Sequence, residues 1–385
     1  MTAVPVLIGM RPPVVETEAD AAPGAPLVDT HGRVHRDLRI SLTDRCSLRC
    51  TYCMPEQGNE WLAKTSILTL DEIERVARVA AADGITTFRL TGGEPLLRQD
   101  IVEVVRRLAR ITGPDGTPVE LAMTTNGIRL PEFLPGLVEA GLRRLNISLD
   151  TLRRDRFREL TRRDRLDDVL DGIAAAAASG LRPLKLNAVA MRDVNDDELV
   201  DLVEFAIAHD AQMRFIEQMP LDTGHTWDRS RMVTRDEILD TLSRRWSLTP
   251  VPGRGGAPAE RWMLDGGPHT VGVIASVTAP FCGDCDRLRL TADGQLRNCL
   301  FSTTEYDLLP ILRTASSSVA GSAPVAGSAP VAEPPSVAEL VEASSPLDEE
   351  IDRMLRSCVR GKLPGHAIND PSFLQPARGM NAIGG

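Results

Sequence analysis

The chain has 385 residues, 42% hydrophobic and 25% charged, enough for a sizeable core in about two or three domains. Its formal charge of -10 excludes a general nucleic-acid or anionic-membrane binder, because both favour a basic field. No run of 18 or more apolar residues occurs, so no transmembrane helix is expected, and no charged n-region precedes an apolar stretch as in a signal peptide. The seven cysteines fall as three, three and one, an odd and clustered set that fits a reducing cytoplasm better than a disulfide framework.

Residues 1–35 are rich in Pro, Ala and Val without periodicity and read as a flexible tail, with order expected from about Asp37. Leu38–Leu42 alternates as a strand and leads into a loop with three cysteines. Leu70–Ala82 has helical spacing, with Thr69 as N-cap and Glu72 completing a capping box. Strands are then expected at Thr86–Leu90, Val119–Met123, Leu145–Ser148, Leu184–Ala190 and Met213–Ile216. The helices between them fall at Asp100–Ile111, Leu134–Ala140, Leu166–Ser179 (closed by Gly180) and Asp196–His209. The charge run Arg153–Arg165 reads as a solvated helix face. Six strand–helix units over residues 36–222 predict an α/β fold with a parallel sheet, an incomplete (β/α)₆ TIM-like barrel.

Beyond Asp222 the pattern changes. Residues 223–313 hold one more amphipathic helix (Thr234–Arg245), a Gly/Pro-rich loop, a β-leaning stretch at Thr270–Thr278 and a second cysteine group. Residues 314–346 form a low-complexity insertion, with Gly-Ser-Ala-Pro-Val-Ala repeated at 321–326 and 327–332, and are expected to be disordered. Residues 347–385 contain a helix at Leu347–Val359 and end in Gly384-Gly385.

The chemistry concentrates in two groups of cysteines. Cys46, Cys50 and Cys53 are spaced C-x₃-C-x₂-C, and soft thiolates that close together select iron–sulfur clusters, zinc or copper(I). Three thiolates on a cubane leave one iron open to a small molecule. Cys282, Cys285 and Cys299 form a second group without a near fourth cysteine. A structural zinc completed by Cys358 or His269 is the alternative there, and with both groups structural the chain would be a zinc-stabilised binding module.

Cys46-Ser-Leu-Arg-Cys50-Thr-Tyr-Cys53, followed by Gly92-Gly93-Glu94-Pro95, resembles the radical S-adenosylmethionine (SAM) superfamily. The stretches Arg36–Cys50, Phe88–Leu96, Thr124–Gly127, Arg144–Asp150, Arg214–Glu217 and Cys282–Cys299, with the Gly-Gly end, resemble the GTP 3′,8-cyclase family. These lyases open molybdenum-cofactor biosynthesis. The match covers roughly residues 33–313 and the last few residues; the tail and the insertion fall outside it.

The resemblance implies a [4Fe–4S] cluster on Cys46, Cys50 and Cys53, and a second, in the C-terminal region, on Cys282, Cys285 and Cys299, with its open iron on the guanine. It implies SAM contacts at Tyr52, Gly93, Ser148, Asn187 and Met219, and GTP contacts at Arg39, Arg89, Thr124, Lys185, Arg214, Arg287 and Arg289. No residue is expected to act as a general acid or base. The reaction implied is cyclisation of GTP to (8S)-3′,8-cyclo-7,8-dihydroguanosine 5′-triphosphate, with Gly384 and Gly385 reaching the active site. Implied partners are an electron donor and the next enzyme, which makes cyclic pyranopterin monophosphate; family members are often dimers. One departure is visible: Thr87 stands where the family often has lysine. A radical SAM peptide-modifying enzyme with an auxiliary cluster is the rival enzyme reading.

Overall fold

A computed structural model describes residues 24–222, 224–319, 345–371 and 373–384. The six expected strands form as β1 (Asp37–Ser41), β2 (Thr87–Thr91), β3 (Glu120–Thr125), β4 (Arg144–Ser148), β5 (Leu184–Ala190) and β6 (Ala211–Glu217). They pair in parallel in chain order. The intervening helices are α1 (Leu70–Ala82), α2 (Ile101–Leu108), α3 (Leu130–Ala140), α4 (Arg154–Thr161), α5 (Leu166–Ala178) and α6 (Leu199–Ala208). The Thr69 hydroxyl accepts from Glu72 N and the Glu72 carboxylate accepts from Thr69 N, a capping box worth about 1 kcal/mol. Gly180 follows α5 at φ +77°, a conformation that glycine adopts without strain.

Residues 223–313 form no separate sheet. They supply α7 (Arg235–Ser243), β7 (Leu248–Val251), β8 (Glu260–Leu264), β9 (Thr270–Ile274), β10 (Arg287–Leu290), β11 (Gln295–Arg297), β12 (Tyr306–Asp307) and α8 (Leu309–Val319). β9 adds in parallel to β6 and β10 in parallel to β1, so the C-terminal region extends the barrel at both edges. The sheet order is β12-β11-β10-β1-β2-β3-β4-β5-β6-β9-β8-β7, with β12 and β7 as its edges. Since β7 and β12 are not paired to each other, the barrel stays open.

The two-residue period of the strands sorts the side chains. Leu38, Ile40, Phe88, Leu90, Leu121, Met123, Leu145 and Ile147 pack outward against the helices and are fully buried. Apart from Ala122, their neighbours on the other face are polar. In register across β10, β1 and β2 stand Arg289, Arg39 and Arg89. Below them, towards the strand starts, stand Arg287, Asp37 and Thr87. Strand pairing therefore assembles a polar barrel interior from segments about 250 residues apart in the chain.

Order begins earlier than expected. Residues 1–23 lie outside the described part, but residues 24–35, assigned from the sequence to the flexible tail, pack against the molecule. Leu27 and His35 are buried, and Asp29 Oδ2 accepts from Arg33 Nε at 2.5 Å. The expected disordered insertion is also shorter at both described ends: residues 314–319 close α8, and Ser345 caps α9 (Pro346–Arg360). The repeat at 321–332 lies outside the described residues. α9 docks on α1 through Arg75–Asp348 (3.1 Å) and Arg356–Asp83 (2.9 Å). Among the described residues no helix is long and apolar enough to cross a membrane.

Candidate active site

One cavity of about 320 Å³ runs through the open barrel, and all six clustered cysteines line it. The first triad sits in the loop after β1, at the carboxyl end of the strands, where β/α folds place their sites. The second triad sits at the other end. Cys282 and Cys285 precede β10, and Cys299 follows the antiparallel β11, so all three lie beside the strand starts. Pairing of β10 with β1 thus separates the two triads along the barrel axis.

The first triad is held by backbone contacts that leave no room for side chains. Thr43 O accepts from Gly93 N and Arg45 O from Glu94 N, both at 2.7 Å. A Cβ on Gly93 would lie 2.2 Å from Arg45 O, which only glycine avoids. Glu94 is buried and accepts from Leu96 N (3.0 Å), Thr125 Oγ1 (2.6 Å) and Asn126 N (2.7 Å), tying the second and third strand-end loops together. Asn126 Nδ2 donates to Ser47 Oγ at 2.9 Å and lies 3.9 Å from Cys46 Sγ. Tyr52 donates to Asp150 Oδ2 at 2.7 Å, and Asp150 Oδ1 accepts from Val189 N at 2.9 Å. The charge run at 153–165 has a second role besides its solvated face: Arg162 donates to Arg49 O and Met54 O, both at 3.1 Å, bracing the cysteine loop.

Burial, followed by the charge of Glu94, pushes the Cys46 thiol up to about 11. Burial, followed by the charge of Cys46, pushes Cys53 up to about 12, and burial with Asp150 raises Cys50 well above the ordinary thiol range. Ligation to a metal centre would favour the thiolate forms that burial disfavours here. Among the described residues no three His, Cys, Asp or Glu side chains converge at single-ion spacing. A cubane does not require that convergence, because each thiolate binds a different iron. The donor sets fit clusters better than a closed tetrahedral zinc.

Between the triads the cavity is lined by Arg39, Arg89, Arg214, Arg287 and Arg289, with Thr124 and Asn146. Nε of Arg39, Arg89 and Arg287 is buried with no acceptor among the described residues. Arg287 lies over the Phe281 ring at 4.3 Å. Burial, then Arg287, holds Arg289 down to about 10, and burial, then Arg89, holds Arg214 down to about 9. So many buried cations with open donors call for a polyanion. Lys185 is buried just behind this lining rather than in it; burial, then Arg214, Arg144 and Arg89, hold it down to about 7.

Tyr52, Gly93, Ser148, Asn187 and Met219 all line the cavity at the first-triad end, and Asn187 Oδ1 is buried without a donor. Gly384 stands where Arg289 donates to its carbonyl, and a Cβ there would meet Thr91 Oγ1 at 2.9 Å. Gly385 lies outside the described residues. Cys358 is fully buried in α9. The sequence reading missed Phe281, His366, Arg33 and Lys362, which surround the second triad. Only His366 and Phe281 line the cavity, and no spacing rule marks any of the four.

Comparison with known proteins agrees with this geometry. The radical SAM superfamily model matches residues 40–206, and the Molybdenum Cofactor Synthesis C model matches residues 211–322. The GTP 3′,8-cyclase of Streptomyces coelicolor is 52% identical over 362 residues, covering 93% of this chain and 96% of that protein. That of Mycolicibacterium smegmatis is 45% identical over 387 residues, covering 97% and 98%. Among solved structures, Streptococcus suis SuiB aligns with a TM-score of 0.52 at 16% identity over 73% of this chain and 65% of its own, a likeness of fold. With identity this high over nearly the full length of both chains, this protein belongs to the GTP 3′,8-cyclase family of radical SAM enzymes.

Proposed function

We propose that the cavity binds SAM at the first triad and GTP between the two triads, and that the chain joins ribose C3′ to guanine C8. The observation that carries this reading is the single cavity lined by both cysteine triads with five arginines between them. Cys46, Cys50 and Cys53 would hold one [4Fe–4S] cluster, which when bound supplies the electron that releases a 5′-deoxyadenosyl radical from SAM. Cys282, Cys285 and Cys299 would hold a second. Tyr52, Gly93, Ser148, Asn187 and Met219 orient SAM. Arg39, Arg89, Arg214, Arg287 and Arg289 grip the triphosphate, with Thr124 beside them and Lys185 behind. Arginine forks suit phosphate oxygens, and in a buried site their pull is weakly screened. Thr87 offers no charge, and the row Arg289–Arg39–Arg89 directly above it supplies the cations. Gly384, whose carbonyl accepts from Arg289, brings the end of the described chain to the cavity, and the domain boundaries at 36–222 and 223–313 mark function rather than separate folding. A cytoplasmic electron donor and an enzyme that converts the cyclised nucleotide complete the reaction sequence.

Anaerobic reconstitution followed by iron and sulfide analysis tests the cluster assignment: about eight irons per chain are expected for two cubanes. Turnover with GTP, SAM and dithionite then tests the substrate. SAM cleavage without GTP consumption would favour a peptide substrate, and zinc without iron would overturn the reading.

The depressed Lys185 gives a further expected result. Burial and its cationic neighbours hold it at about 7, below its usual 10.5, so in the free protein it loses its charge as pH rises through 7. A bound polyanion favours the charged form. GTP binding therefore takes up a proton, and the Kd measured by calorimetry is expected to weaken from pH 6 to pH 8, by at most about tenfold per pH unit. In Lys185→Met this part of the pH dependence disappears.

A further inference from the structure

Lys362 is a buried ammonium, only 4% exposed. Its Nζ donates to Cys285 Sγ at 3.4 Å and to the carbonyl of Arg287 at 2.8 Å. Among the described residues no carboxylate forms an ion pair with it. Asp286 lies within electrostatic reach only. A buried cation without a paired anion is strongly disfavoured. The groups of opposite sign acting on it most strongly are Cys285 and Cys299 as thiolates. Its natural counter-charge is therefore the second triad in its metal-bound, anionic form.

The surroundings fix this lysine in place. α9 ends at Arg360, and Gly361 then passes so close to Tyr306 that a Cβ would lie 2.3 Å from its hydroxyl oxygen. Arg33 donates to Leu363 O at 2.8 Å and to Cys282 O at 2.7 Å, clamping the chain after Lys362 to the cysteine turn. Asp29 accepts from Arg33 Nε and holds the clamp. A segment just before β1, the cysteine turn and the chain after α9 thus meet at the Arg33 guanidinium, and this clamp fixes the chain that carries Lys362.

The first triad stands beside buried carboxylates instead. Glu94 acts on Cys46 and Asp150 on Cys50, opposed by Arg49 and the Asn126 amide at Cys46 and by the Tyr52 hydroxyl at Cys50, but among the described residues no buried ammonium touches its sulfurs. Cluster potentials depend on net charge and on hydrogen bonds to the ligand sulfurs; a donor or cation stabilises the more negative, reduced form, and a carboxylate destabilises it.

We propose that Lys362 is a positioning residue of the second cluster site: its hydrogen bond to Cys285 orients that thiolate and holds the second centre's reduction potential above that of the first. The proposal rests on Cys282, Cys285 and Cys299 carrying a cluster. A reductant strong enough for the first centre then finds the second already reduced, and each centre takes one electron in a fixed order. SAM is cleaved at the centre with the lower potential, where the reducing power is needed.

The test uses the full-length protein, reconstituted anaerobically, as wild type, Lys362→Met and Lys362→Arg. Iron content comes first: a wild type with about four irons per chain overturns the two-cluster reading itself and is distinguishable from failure of the inference. EPR-monitored redox titration follows, repeated in a Cys46→Ser, Cys50→Ser, Cys53→Ser background that isolates the second centre. The second centre is expected to reduce before the first in wild type, at a markedly lower potential in Lys362→Met, and near the wild-type potential in Lys362→Arg. If Lys362→Met fails to hold the second cluster while Lys362→Arg holds it, the charge role stands. Loss in both variants, or an unchanged second potential in a fully loaded Lys362→Met, overturns the proposal.

Discussion

Replacing Cys299 with serine is expected to abolish GTP cyclisation while leaving reductive SAM cleavage intact. The two triads lie at opposite ends of the barrel strands, and no hydrogen bond among the described residues links Cys299 to the first loop. Cys299 stands on the chain just after β11, with Arg297 and Glu305 pinned by an ion pair beside it. Removal of one thiolate from three leaves a cubane two protein ligands, so about four irons should be lost while the first centre keeps its own. The measurement is iron content with 5′-deoxyadenosine formation and GTP consumption in the same anaerobic assay. Retained cyclisation would make the second site merely structural.

Arg289→Met should show opposite effects on binding and stability. Arg289 is buried between Arg39 and Arg287, with no carboxylate among its closest charges. In the empty protein it is a repelled cation, so replacing it with an apolar side chain of similar length is expected to leave the thermal midpoint unchanged or raised. In the complex it is a fork aimed at phosphate, worth roughly 1.5–3 kcal/mol as a charge-assisted hydrogen bond. GTP affinity should fall by about ten- to a hundredfold by that measure. Equilibrium binding of GTP and a thermal melt on the same preparation check both halves. A residue that served only the fold would lose stability and keep affinity. The same change removes the donor to Gly384 O, so the chain end is expected to become more accessible to carboxypeptidase.

The strongest local signals survived intact. Leu70–Ala82 and Leu184–Ala190 form with the expected bounds, because a capping box fixes the start of the first and Leu184, Leu186 and Ala188 alternating with Lys185 and Asn187 give the second the two-residue period of a strand. β10, β11 and β12 gave no such signal. They are four, three and two residues long, too short for alternation to register, and they exist because β1 and its neighbours offer an edge to pair with. The packed segment at 24–35 was equally silent: it continues a Pro-, Ala- and Val-rich stretch without periodicity, and only the Asp29–Arg33–His35 cluster and the carbonyls that Arg33 meets at 282 and 363 give it a place.

By itself, the sequence determined that six thiolates come in two groups of three, that six strand–helix units make a parallel sheet, and that arginines stand on its strands. Each of these depends on spacing within a few residues, which the covalent chain enforces. Only the tertiary structure decided that the two triads face each other along one cavity, because that depends on β10 pairing with β1 and β9 with β6 across about 250 and 60 residues of chain. Only it decided that Lys362 meets Cys285, a contact between residues that no local pattern relates. The arginine row at 39, 89 and 289 belongs to both: alternation points each side chain inward, and strand register makes three distant charges neighbours.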